Sequence, residues 1–258
     1  MILPLLLGAA IPAGSTPAAP IQAGPSDPNK ARYDHCVDLA TGDNPAGAER
    51  EAGQWQLEGG GFLARQCRGM AFATESLWSA AAAEFEAAAH GAEIAHDDRA
   101  PNYWAQAGNA WLAGGDPVKA RAALDAALAP ATMIGLPRGE AELDRARALV
   151  AVGTLAAARI DIDHALVDAA EDPLAWLLSA TLARRMKDLP RAKKDIAEAL
   201  TRSADDPSVQ LEAGNIAAAS GDAAGAKAAW ATAARLKPAS DAGRSAAAAL
   251  RQFDAPGG

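Results

Sequence analysis

The chain has 258 residues, 50% of them hydrophobic, with 32 acidic against 24 basic side chains and a net charge of −8. This is long enough for one large core or one extended array, and the acidic balance excludes any overall attraction to nucleic acid or anionic lipid. Aromatics are only 5%, and the β-branched and aromatic runs that several strands would need are missing. Alanine dominates instead, as at Ala80–Ala83 and Ala246–Ala249. It is the best helix former and lets helices approach closely, so an all-α fold is expected.

The first residues, MILPLLLGAAIPAG, are apolar, and the next, STPAAPIQAGPSDP, are rich in Pro, Ala, Gly and Ser. An apolar run followed by small residues resembles a secretory signal peptide, although no Lys or Arg precedes Ile2. It is too short to span a bilayer. Cleavage after Ala18 or Ala23 would fit, giving a signal peptide over 1–23, a linker over 24–28 and a helical domain over 29–258. A periplasmic or secreted protein is therefore expected, with an apolar tail on a cytoplasmic protein as the alternative. The chain has two cysteines, Cys36 and Cys67. In an exported protein they suggest one disulfide, in the cytoplasm two buried thiols. Neither has the spacing of a redox motif, a haem attachment site or a zinc site.

Beyond the linker, Ala-x3-bulky-x2-Ala recurs five times. It appears as Ala81/Phe85/Ala88, Ala120/Leu124/Ala127, Ala158/Ile162/Ala165, Ala192/Ile196/Ala199 and Ala226/Trp230/Ala233, in steps of 39, 38, 34 and 34 residues. The longer steps place extensions around His90–Pro101 and Pro130–Arg138. With these alanines at position 20 of a 34-residue unit, Trp104, Gly108, Trp111 and Gly115 fall at positions 4, 8, 11 and 15. Ala146, Leu149 and Gly153 fall at positions 8, 11 and 15 of the next unit, Trp176 and Ala180 at 4 and 8, and Gly214 and Gly221 at 8 and 15. Gly69 and Phe72 take positions 8 and 11 of the unit before Ala88. Position 16 carries Asp116, Thr154, Asp188 and Asp222, residues suited to cap the start of a second helix. Pro117 follows Asp116, where a missing N–H costs nothing.

This pattern resembles the tetratricopeptide repeat (TPR), whose period is about 34 residues. The resemblance covers residues 62–238, and more loosely 29–253. It implies a right-handed superhelical array of helix-turn-helix repeats, about five to six units, closed by a C-terminal helix over 241–253. Position 32 is proline only once, at Pro238, and position 7 is usually not leucine. Paired helices of the HEAT kind, with a period of about 40–47 residues, are the structural alternative. A degenerate first unit places Ala48 at position 20, Asn44-Pro45 as its cap and Trp55 at a small-residue position, and ends at Gly59-Gly60-Gly61.

The resemblance also implies a binding face. Positions 2, 5, 9, 12 and 13 of each first helix point into the concave groove and give Asn102, Asn109, Glu140, Arg147, Thr181, Arg184, Arg185, Leu211 and Asn215. Family members use asparagine at position 9, here Asn109 and Asn215, to hold a peptide backbone, since an amide both donates and accepts. Arg147, Arg184 and Arg185 against Glu140 predict a groove less acidic than the whole chain, suited to an acidic segment. Asp144 stands where a carboxylate clamp would need a basic group. Cys36 at position 8 and Cys67 at position 6 of neighbouring first helices are placed for a disulfide.

Catalytic signatures are missing. GGG at 59–61 lacks the Lys-Ser/Thr of a phosphate loop, and Glu84/Glu86 and Asp161/Asp163 are two apart, so neither pair shares a helix face. His90 and His96 beside Asp97 and Asp98 form a polar extension without a fixed metal geometry. No cofactor is expected. An exported scaffold for a protein or peptide is expected, rather than a cytoplasmic adaptor or an enzyme or carrier on the same frame.

Overall fold

The computed structural model describes residues 28–254, all of whose regular elements are helices. In order they are α1 (Pro28–Thr41), α2 (Pro45–Leu57), α3 (Gly61–Thr74), α4 (Trp78–Ile94), α5 (Ala100–Ala113), α6 (Pro117–Leu128), α7 (Leu136–Ala151), α8 (Leu155–Asp168), α9 (Pro173–Arg185), α10 (Leu189–Arg202), α11 (Pro207–Ala219), α12 (Ala223–Leu236) and α13 (Asp241–Asp254). They form consecutive A/B pairs from α1/α2 to α11/α12, with α13 against the last pair. The expected signal peptide (1–23) and most of the expected linker (24–28) lie outside the described residues, and α1 starts at Pro28, inside that linker. The first extension lengthens α4 to 17 residues, and the second divides between a loop and the 16-residue α7.

The turn inside each unit explains two sequence positions at once. Position 15 has positive φ in five units: Gly115 (76°), Gly153 (83°), Gly221 (78°), Ser76 (60°) and Lys187 (64°). That conformation lets the following residue return its backbone N–H to the A helix, from Asp116 to Trp111 O (2.9 Å), Asp188 to Ala183 O (2.9 Å) and Asp222 to Ala217 O (2.9 Å). The same aspartates cap the B helix: their side chains accept from Lys119 N, Arg191 N and Gly225 N. Thr154 departs from this expectation. Its hydroxyl can donate, and it turns back to Leu149 O at 3.0 Å, leaving α8 without a side-chain cap. Asp172 and Asp206 add caps the sequence count did not include, on α9 and α11.

A left-handed conformation costs an L-residue about 1 kcal/mol and glycine very little. Lys187→Gly is therefore expected to raise the thermal midpoint by about 2 °C. An unchanged or lower midpoint in a melting curve would show that Lys187 carries no strain.

Position 20 is fully buried in every unit, at Ala48, Ala81, Ala120, Ala158, Ala192 and Ala226. Positions 8 and 24 vary together. A Cβ on Gly69 would lie 2.7 Å from Phe85, on Gly108 2.4 Å from Leu124, and on Gly214 2.4 Å from Trp230. Where position 24 is the β-branched Ile162 or Ile196, position 8 is Ala146 or Ala180. The glycines are thus sockets for large side chains, and interior packing tolerates no spare methyl there.

The first unit is built differently. Its buried cluster consists only of Cys36, Ala40, Ala48, Ala52, Cys67 and Ala71, with Leu39 and Met70 at its edge. Cys36 and Cys67 form a disulfide between α1 and α3 with Cα atoms 6.1 Å apart. Thr74 Oγ1 donates to Ala40 O at 2.8 Å across the same junction. Trp55, at the small-residue position, is buried because Gly60 leaves room: a Cβ there would meet the indole at 2.6 Å.

Candidate functional site

The A helices of the first four units enclose a concave chamber of about 660 Å³. Tyr33 enters from α1, Gln66 from α3, Asn102, Tyr103, Gln106 and Asn109 from α5, and Glu140 and Asp144 from α7, with Arg99 just ahead of α5 and Met133 in the loop before α7. Three of the expected groove residues, Asn102, Asn109 and Glu140, meet here, all exposed.

Hydrogen bonds link the walls. Tyr33 Oη donates to Gln66 Oε1 at 2.7 Å, and Gln66 Nε2 donates to Gln106 Oε1 at 3.2 Å, so α1, α3 and α5 share one relay. Asn109 Nδ2 donates to Asp144 Oδ2 at 2.9 Å, and Arg147 Nη1 donates to Asp144 Oδ1 at 2.8 Å. Arg99 holds Asp97 through Nε and Nη2, both at 2.7 Å, and lies 5.2 Å over the Phe62 ring. These contacts hold Asp97 down to about 2. Burial raises the Tyr33 phenol and pushes Tyr103 up to about 12. Both remain neutral donors at physiological pH. Tyr103 is 1% exposed, and its hydroxyl has no hydrogen-bond partner.

The remaining expected residues divide. Arg147, Thr181 and Arg185 line a second crevice of only about 60 Å³, floored by Val150, Leu178 and Leu182. Arg184 pairs with Glu212 through Nε (2.6 Å) and Nη2 (3.1 Å). Both polar ends of the Asn215 amide are committed: Nδ2 to Glu212 at 3.1 Å, and Oδ1 to the Trp230 indole N–H at 3.1 Å. Leu211 packs at the edge of the Trp230 cluster. Two of the three groove arginines are thus paired with carboxylates, Arg147 with Asp144 on its own helix and Arg184 with Glu212 on the next A helix.

Two chamber residues were within reach of the sequence. Tyr33 and Gln66 both fall at position 5 when the count is extended to the first two units. Tyr103 and Gln106, at positions 3 and 6, had no such signal.

The other buried charges pair within single units, along one helix or between a unit's A and B helices. Arg138 meets Glu142 at 3.0 Å, Arg145 meets Asp161 at 2.8 Å, and Ser179 and Arg191 share Asp195. His90 stacks edge-on against Trp104 at 4.7 Å and hydrogen-bonds Glu93, while Asp97 is taken by Arg99. Among the described residues, no three His, Cys, Asp or Glu side chains stand close enough to hold a metal ion, and no helix is long and apolar enough to cross a membrane.

A stack of helix pairs whose first helices line a shared polar groove is an α-solenoid. The chain has the fold of tetratricopeptide-repeat proteins. Its fold matches that of PilF from Pseudomonas aeruginosa (TM-score 0.67, 16% identity, covering 86% of this chain and 99% of that one). It also matches PilW, described as a widely conserved type IV pilus biogenesis factor (TM-score 0.68, 19% identity, 84% and 97% covered). YrrB, described as a TPR protein with an unusual peptide-binding site, matches with TM-score 0.56 at 16% identity, covering 76% of this chain and 97% of that one. No protein-family model and no curated protein matches the chain.

Proposed function

We propose that this protein is a scaffold of the cell envelope that holds a peptide or protein segment in the groove of its A helices, chiefly in the chamber of units one to four. The chamber's amide side chains carry this reading. Asn102 and Asn109 are exposed there beside Gln66 and Gln106, and an amide matches a peptide backbone of any sequence. The peptide-binding site named for YrrB is consistent with it. The Cys36–Cys67 bridge supports an oxidising compartment; a cytoplasmic adaptor would keep both thiols reduced.

Partners captured by the oxidised chain from an envelope extract give the test. Asn102→Ala together with Asn109→Ala should weaken the captured partner about thirtyfold, at roughly one net hydrogen bond's energy per residue. Lys193→Ala, on the exposed side of α10, should leave it unchanged. The opposite pattern would place the binding surface on the B helices. Two titratable thiols in protein isolated directly from cells would contradict the envelope assignment.

A further inference from the structure

The chamber's charges specify more than an extended backbone. Arg147 and Arg184 are neutralised by Asp144 and Glu212, leaving Arg185 of the three groove arginines without an ion pair among the described residues. Glu140 is exposed on the α7 wall and likewise has no ion-pair or hydrogen-bond partner among the described residues. The nearby Arg138 is already committed to the buried Glu142 at 3.0 Å. Asp144, one helical turn along the same wall, faces the chamber with a single cation at its back. This wall therefore presents more carboxylate than cation.

The other side of the chamber offers neutral donors. Arg99 is bound through two nitrogens to Asp97, which cancels its charge as an anchor for a carboxylate. The Tyr33 hydroxyl is spent on Gln66. The Tyr103 hydroxyl is shielded from water and has no acceptor. A buried donor left unpaired is costly, and Tyr103 is one of the residues lining the chamber. An uncharged acceptor, such as a main-chain carbonyl, suits a neutral phenol beside a balanced ion pair.

We propose that the chamber selects an extended peptide segment carrying lysine or arginine, with the cation held by Glu140 and a main-chain carbonyl oxygen accepting from the Tyr103 hydroxyl. This rests on the groove being the binding surface, and it opposes the acidic ligand that the arginine count alone suggests. Attraction of a cation also agrees with the chain's net charge of −8.

A random dodecapeptide display library selected against the oxidised full chain tests it. Selected sequences should be enriched in lysine and arginine, and selection on Glu140→Lys should lose that enrichment. For the leading synthetic peptide, calorimetry should show binding weakened about fivefold by Glu140→Gln, as expected for one solvent-accessible ion pair, and weakened by added salt. Tyr103→Phe should also weaken it about fivefold. The same change should raise the melting midpoint of the free chain by about 2–4 °C, because an unpaired buried hydroxyl has been removed. A purely structural tyrosine would not show that opposed pair of effects.

Neutral or acidic selected sequences overturn the proposal, as does failure to select any family. So does a basic family indifferent to Glu140→Gln, or an affinity indifferent to Tyr103→Phe. Non-basic peptides lost on Asn102→Ala and Asn109→Ala would leave the groove standing and remove only its charge preference. Peptides indifferent to every groove variant would remove both.

Discussion

Replacing Cys36 and Cys67 with alanine is expected to destabilise the first helix pair by about 3–4 kcal/mol. The bridge spans 31 residues, and chain-entropy reasoning gives about that much for a loop of such length. The local packing offers little to offset it, because every buried member of the surrounding cluster is alanine or one of the two cysteines. Methyl groups bury little area, and the large side chains joining α1 to α3, Tyr33, Leu39 and Met70, are only partly buried. Other units rely on Phe85, Leu124, Ile162, Ile196 or Trp230 at the equivalent depth.

A terminal repeat also has only one neighbour, so the loss should be local. Amide exchange by mass spectrometry should show residues 28–57 exposed in the double variant, or in reductant, while α5 to α12 keep their protection. A uniform loss along the array, or none, would show that the bridge is incidental. Tyr33 sits on α1, and its hydrogen bond to Gln66 closes one wall of the chamber. Reduction should therefore weaken ligand binding before the chain melts.

Gly214→Ala is expected to cost about 2–3 kcal/mol, although alanine alone favours a helix by about 1 kcal/mol over glycine. The new methyl would lie 2.4 Å from Trp230 Cδ1 and 2.5 Å from Nε1. That indole is 5% exposed and fixed by its bond to Asn215 Oδ1, so it cannot swing aside without losing the partner. Trp230→Ile should restore the compatibility seen at Ala146/Ile162 and Ala180/Ile196. In urea titrations the double variant should be more stable than the sum of the single effects by about 1 kcal/mol or more. Simple additivity would mean that positions 8 and 24 vary independently.

The fold was legible in the sequence because its determinants are local and steric. Close helix crossing demands a small residue at position 20, the A-to-B turn favours glycine at 15, and a free helix start favours aspartate at 16. Each demand falls on one residue at a fixed spacing, so counting found six of the helix pairs' registers and the closing α13. The exception, Thr154, follows from a hydroxyl's freedom to donate where a carboxylate only accepts.

The site was legible only in part. Counting placed Asn102, Asn109 and Glu140 at the chamber, because side-chain direction on a helix follows from register. It did not determine which charges were already paired. Arg147 and Asp144 share α7, whereas Arg184 reaches from α9 to Glu212 on α11, and a guanidinium on a long side chain reaches carboxylates on either its own or a neighbouring helix. Nor could it show Tyr103 losing every partner, or Trp55 fitting a small-residue slot through the room left by Gly60. Register is set along one helix by backbone geometry. Pairing, burial and the net charge of the groove are set between helices, by distances that exist only once the array has stacked.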